Sequence, residues 1–226
     1  MAEIPLDWKV HAYVCSESYA KANPKRYDPA IIVSDSRFAS LSDTVTPQGI
    51  IAVCEKRTFT LSDVLSHSSD ENPFLIIGEQ LADPGNIGTL IRTAAAAGAS
   101  GVILSAGSGD IYNPKTIRAA AGAVLRIPVV EGVDLEETIP LLKQQGITVL
   151  AAHLKGAVLP YDLDLQQGLA VLIGNEARGL SDEVSDLADV RVKLPMAPDI
   201  ESLNASVAGG ILFYEVVRQR LEGRGL

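Results

Sequence analysis

Three stretches of this 226-residue sequence, two of them containing glycine and the third stiffened by proline, hold polar side chains that could do chemistry. The first is Asp83-Pro84-Gly85-Asn86-Ile87-Gly88-Thr89-Leu90-Ile91-Arg92-Thr93-Ala94. Pro84 and Gly85 make a turn, Asn86 is a residue type that caps the helix to follow, and Arg92 comes six residues later, well off the Asn86 face at roughly 100° per residue. The two need not form a pair. Arg92 lies among Ile91 and Ala94 to Ala97, residues that favour burial, and a buried guanidinium needs an anionic or carbonyl partner. A structural ion pair and a ligand contact both meet that need. The second stretch is Leu172-Ile173-Gly174-Asn175-Glu176-Ala177-Arg178-Gly179-Leu180-Ser181, an apolar strand running into a polar loop. Gly174 permits close backbone approach or positive φ, and Ser181 opens a helix with Asp182 and Glu183 in its first turn. An ordinary strand-to-helix connection and a ligand loop both read this way. The third is Leu194-Pro195-Met196-Ala197-Pro198-Asp199-Ile200-Glu201-Ser202-Leu203-Asn204-Ala205-Ser206. Apolar Leu194, Met196 and Leu203 beside backbone donors and acceptors suit an adenine-like ring. Core packing, with Ser202 or Asn204 capping a helix, accounts for the same residues.

These stretches must be held by strands and helices. From Phe74 onward, apolar runs alternate with helical patterns: Phe74 to Ile77, Gly101 to Leu104, Ile127 to Val130, Thr148 to Ala151 and Leu169 to Ile173 read as strands. Ile87 to Ala97, Pro114 to Ala121 and Leu135 to Gln145 read as helices. Uninterrupted apolar strands alternating with helices predict an α/β fold with a parallel sheet covered on both faces. A last helix is predicted from about Asn204 to Leu221, with Val207, Ile211, Tyr214, Val217 and Leu221 on its inner face. Ahead of this region, Ala30 to Val33 and Gly49 to Val53 read as strands of a small α/β unit, and the polar stretch Ser62 to Asn72, closed by Pro73, marks a domain boundary.

Composition narrows the function. With 47% hydrophobic and 21% charged residues the chain can bury a sizeable core. No apolar run is long enough for a membrane span and the N-terminus lacks signal-peptide character, so the expected location is the cytoplasm. Cys15 and Cys54, with His11, His67 and His153, show no metal-ligand spacing, and no metal is expected. Gly107-Ser108-Gly109 does not continue into a dinucleotide fingerprint, and there is no P-loop. The net charge of −9 argues against a nucleic-acid partner at first sight. Lys115, Arg118 and Arg126 nevertheless gather in one stretch and leave a local basic face available to RNA.

Taken together and in this order, Asn86 to Arg92, Gly174-Asn175-Glu176 with Gly179-Leu180, and Leu194-Pro195-Met196 followed by Glu201-Ser202-Leu203-Asn204-x-Ser206 resemble the three motifs of the SpoU (TrmH) family of RNA ribose 2′-O-methyltransferases, in the SPOUT superfamily. The resemblance covers residues 73 to 226 and includes Asn113-Pro114-Lys115-Thr116-Ile117-Arg118-Ala119 with Gly122 and Arg126. It implies a C-terminal deep trefoil knot, which periodicity does not show and which is nearly absent among folds generally. It also implies S-adenosylmethionine as cofactor, in a pocket lined by Gly174, Leu194, Leu203 and Met196, at a homodimer interface. Arg92 would act at the ribose hydroxyl, with Asn86, Glu176, Ser202 and Asn204 shaping the site, and Lys115, Arg118 and Arg126 would meet RNA. Arginine, with a pKa above about 12, is a poor general base, so Arg92 is expected to act as a cation.

Residues 1 to 66 resemble part of a ribosomal-protein-like RNA-binding domain, through Val33-Ser34-Asp35-Ser36-Arg37-Phe38 and Thr46-Pro47-Gln48-Gly49-Ile50-Ile51-Ala52-Val53. That domain should open with a strand and a helix, which the sequence does not display, so it is expected to be shortened. The resemblance points to rRNA as substrate. The alternatives are a tRNA-directed enzyme, a non-catalytic RNA-binding protein of the same fold and, more distantly, another nucleotide-binding α/β protein.

Overall fold

Apolar runs of four or five residues, separated by capped helices, have only one economical way to be buried: side by side in a sheet with helices on each face. The computed structural model of the chain describes residues 4–24, 27, 29–42, 44–67, 72–155 and 158–225, and divides between Arg57 and Thr58 into two units.

The first unit contains β1 (Val10–Ser16), α1 (Glu17–Ala22), β2 (Ile31–Val33), α2 (Asp35–Leu41) and β3 (Ile50–Cys54). β1 is central, parallel to β2 and antiparallel to β3. A strand and a helix that the sequence does not display, β1 and α1, thus precede β2. They escape a reading by pattern because only Cys15 and Ser16 of β1 are buried, while α1 is one short helix started by the Ser16 cap.

The second unit begins with α3 (Leu61–Ser66). The division between the units thus lies ahead of the polar stretch Ser62 to Asn72 and not within it. Thr60 and Asp63 form a capping box that starts α3, and Val64, fully buried, packs on Gly101, where an added Cβ would come within 2.4 Å of it. Next come β4 (Phe74–Gly78), α4 (Pro84–Ala96), β5 (Gly101–Ser105), α5 (Pro114–Ala120), β6 (Val129–Val133), α6 (Leu135–Gln144), β7 (Thr148–Ala152), β8 (Leu169–Ile173), α7 (Asp182–Asp186), β9 (Val190–Val192) and α8 (Ala205–Gly223). The sheet order is β6-β5-β4-β8-β7-β9 and every pairing is parallel. Alternate residues of β4 divide the core: Phe74 and Ile76 face α4, α5 and α8, whereas Leu75 and Ile77 face α3, α6 and α7. Among the described residues no helix is long and apolar enough to cross a membrane.

α8 turns a different face inward from the one its spacing predicts. Gly209, Leu212, Phe213 and Val216 are buried, whereas Val207, Ile211, Tyr214 and Leu221 are exposed. The helix is apolar on both sides, and the small residue decides which side packs. A Cβ at Gly209 would already stand 3.0 Å from Leu90, and Phe213 meets Phe74 edge-on at 5.9 Å.

Candidate active site

β8 inserts between β4 and β7, so the chain direction across the sheet reverses beside β4. Loops leaving strands on either side of such a reversal diverge and form a crevice. Here the loop after β8 returns on itself: Asn175 and Gly179 exchange two backbone hydrogen bonds, of 3.0 and 2.8 Å. Gly174 makes this possible, because a Cβ there would stand 2.3 Å from the backbone of Gly179 and Leu180. Buried Glu79, at the end of β4, accepts hydrogen bonds from the Ser181 N–H at 2.9 Å and its hydroxyl at 2.5 Å. The Ser181 hydroxyl in turn caps α7.

A cavity of about 310 Å³ opens against this loop. Gly174, Glu176 and Arg178 form one wall, and Leu194, Met196, Ser202 and Leu203 form another. His153 and Leu154 close it from the end of β7, with Ala205, Ala208 and Leu212 of α8 behind. All four residues expected to hold a cofactor therefore line one cavity. His153, Lys193 and the α8 residues were not anticipated. Their signal is positional: each lies just past the carboxyl end of a parallel strand or on the helix that closes over it.

Beside the cavity runs a continuous amide–carboxylate chain. Glu176 accepts from the Ala82 and Asp83 N–H groups at 3.3 and 3.2 Å and from Asn86 Nδ2 at 3.1 Å. Asn86 Oδ1 accepts from Asn204 Nδ2 at 2.9 Å, and Asn204 Oδ1 caps α8 by accepting from Ser206 and Val207 N–H groups. Four of the five expected catalytic residues thus gather here, with Ser202 on the cavity wall and the others in the chain. Asn86 is not the cap of α4. Asp83 is, with Pro84 at the first helical position, and the Asn86 side chain is thereby left free to face Glu176.

Burial raises the Glu176 carboxyl pKa, but hydrogen bonds from its own backbone, Asn86, Ala82 and Asp83 outweigh this and hold it below the ordinary 4.5. The folded form therefore gains stability from the ionised carboxylate above pH 4.5 and loses it as pH falls through the lowered value. Glu176→Gln should lower the thermal midpoint at neutral pH, and the gap to wild type should close in acid below that range. A gap independent of pH would exclude this role.

Arg92 departs from expectation. It is exposed on α4, lies off the cavity, and makes no hydrogen bond or ion pair among the described residues. The apolar neighbours that suggested burial, Ile91 and Ala94, turn inward and leave Arg92 on the opposite side of the helix. Lys115, Arg118 and Arg126 are all exposed on or just beyond α5, and Lys115 Nζ lies 3.2 Å from Asp83 Oδ2. α5 is held close to α4 because Gly88 has no side chain: a Cβ there would stand 2.5 Å from the Thr116 carbonyl.

Comparison with known proteins identifies this arrangement. The model of the SpoU rRNA methylase family matches residues 73–214. An uncharacterised tRNA/rRNA methyltransferase of Synechocystis is 33% identical over 84% of this chain and 67% of its own length. The 23S rRNA (guanosine(2553)-2′-O)-methyltransferase RlmP of Bacillus subtilis is 34% identical over 82% of this chain and 71% of its own. The crystal structure of the SpoU methyltransferase AviRb of Streptomyces viridochromogenes, in complex with the cofactor AdoMet, superposes with a TM-score of 0.83 at 27% identity, covering 95% of this chain and 84% of that one. The chain belongs to the SpoU rRNA methylase family.

Proposed function

We propose that this chain transfers the methyl group of S-adenosylmethionine to a ribose 2′-hydroxyl of structured RNA, with rRNA as the substrate class. The observation that carries the reading is the cavity itself, with apolar walls, a side-chain-free floor at Gly174 and the Glu176–Asn86–Asn204 chain at its edge. Its volume, about 310 Å³, lies at the small end of pockets that hold drug-sized ligands. Leu194, Met196 and Leu203 fit the adenine ring, and the backbone beside Gly174 fits its polar edge. The bound cofactor supplies a sulfonium methyl, and the enzyme must bring a hydroxyl oxygen in line with it. Glu176, locked by Asn86 and two backbone N–H groups, holds the β4–α4 and β8–α7 loops at fixed separation. Asn204 ties the third loop to the same chain. Arg92 supplies positive charge toward the developing alkoxide or the adjacent phosphate. The hydroxyl proton leaves to that phosphate or to water.

The site is completed by a second copy of the chain. Arg92 does not reach the cavity of its own subunit, and α8 exposes Val207, Ile211 and Tyr214 as an apolar stripe. A homodimer packed on this face covers the stripe. Replacing Ile211 and Tyr214 together by aspartate should give a monomer in size-exclusion chromatography and reduce methyl transfer more than tenfold; an unchanged elution volume would remove this face as the dimer contact. The family's C-terminal knot belongs to this reading too: after the edge strand β9 the chain crosses back past the cavity to place α8 against α4. The first unit serves as an RNA-binding domain, and the protein works in the cytoplasm.

The test is incubation with radiolabelled S-adenosylmethionine and total RNA from cells lacking the gene, followed by separation of the RNA classes. Label in rRNA is expected. Label in tRNA overturns the substrate class, and no label with no cofactor binding leaves a non-catalytic RNA-binding protein.

A further inference from the structure

We propose that Arg178 contacts a phosphodiester oxygen of the RNA strand at the mouth of the cavity, and that Gln80 is the residue that positions it. This rests on the methyl-transfer reading above and adds a substrate subsite to it.

Arg178 stands on a loop with little freedom. Beyond the Asn175–Gly179 backbone pair, Asn175 Oδ1 accepts from the Ala177 and Arg178 N–H groups at 3.0 and 3.2 Å, and Asn175 Nδ2 donates to the Gln80 carbonyl at 2.7 Å. The guanidinium is exposed at the cavity rim, and its one hydrogen bond among the described residues runs to Gln80 Oε1 at 2.7 Å. That partner is a neutral amide. Elsewhere in this acidic chain Arg191 and Arg218 pair with Asp186 and with Glu215 and Glu222. The nearby carboxylate in sequence, Glu176, is already taken by Asn86 and two backbone N–H groups. Arg178 is therefore oriented without being neutralised, and most of its donors remain free, as bidentate recognition of a phosphate requires.

Gln80 makes the arrangement deliberate. Its φ of +46° lies in the left-handed region, where glycine would sit without strain. Its N–H donates to Ser105 Oγ at 2.8 Å and its carbonyl receives Asn175, so the backbone is fixed on both sides and only the side chain is left to address Arg178. A long amide at a position where glycine would be unstrained is a local cost of the kind that functional sites carry.

Arg178→Gln and Gln80→Glu test the proposal. The second keeps every backbone bond and the reach of the side chain but places a carboxylate on the guanidinium. Turnover is measured with rRNA from cells lacking the gene, RNA binding is followed across a salt series, and S-adenosylhomocysteine binding is measured by calorimetry. Arg178→Gln should raise the KM for RNA about tenfold and make the salt dependence shallower by about one phosphate contact, with kcat and the S-adenosylhomocysteine Kd within about twofold. Gln80→Glu should raise the same KM about fivefold although the arginine is present. An unchanged RNA KM and salt slope in both variants would overturn the proposal. So would weakened S-adenosylhomocysteine binding with RNA binding intact, which would make Arg178 a cofactor contact. RNA binding is read without turnover, so a wild-type protein that transfers no methyl group would sink the methyl-transfer reading, while the Arg178 contact stands or falls on its salt slope.

Discussion

Arg92→Ala is expected to lower methyl transfer by about 10²–10³-fold, the usual loss when a preorganised charge facing a developing oxyanion is removed. Its thermal midpoint and its affinity for S-adenosylhomocysteine should remain close to wild type, because Arg92 is exposed, bonds to no described residue and does not line the cavity. Arg92→Lys should recover little, since an ammonium does not reproduce the planar fork. A variant that loses cofactor affinity or unfolds early would instead mark a structural role.

Gly174→Ala should have a comparably large effect by another route. The added Cβ would lie 2.3 Å from the Gly179 carbonyl carbon and the Leu180 nitrogen, which are backbone atoms with no rotamer to yield. The Asn175–Gly179 turn must open, at a cost of about 2–3 kcal/mol in overpacking strain. The wall carrying Glu176 and Arg178 moves with it. Cofactor binding should fall below detection in calorimetry, and retained binding would show that this wall is not part of the pocket. The two variants also test the dimer. If Arg92 serves the cavity of the partner subunit, mixing Arg92→Ala and Gly174→Ala subunits creates one sound site in each mixed dimer and restores about a quarter of wild-type activity. No recovery would place Arg92 in its own subunit's site.

Much of this was legible in the sequence where local chemistry dominates. The β8 strand and the three polar loops follow from apolar runs ended by Gly, Asn or Pro, and the loops converge because the ends of a parallel sheet bring them together. What failed did so for a shared reason: burial depends on partners that periodicity does not contain. α8 carries apolar residues on both faces, and Gly209 rather than Leu or Val decides which faces the core. Arg92 was read as buried from its neighbours in sequence, although they point the other way. β9 is the three-residue run Val190–Val192 and is recognisable only beside β7. α3 overlaps the polar stretch that reads as a domain boundary, because its polar residues outnumber its one fully buried anchor, Val64. Neither the positive φ of Gln80 nor its hold on Arg178 leaves a mark in composition or spacing.

The position of the transferred methyl group tests the central claim most directly. RNA labelled by the wild-type protein should be treated with alkali, which cleaves a phosphodiester only through a free neighbouring 2′-hydroxyl. The ribose-methylation account predicts that the label survives in an alkali-resistant dinucleotide, yields a 2′-O-methyl nucleoside on enzymatic digestion, and is absent when Gly174→Ala replaces the wild type. Label released by alkali as a mononucleotide carrying a methylated base would contradict it.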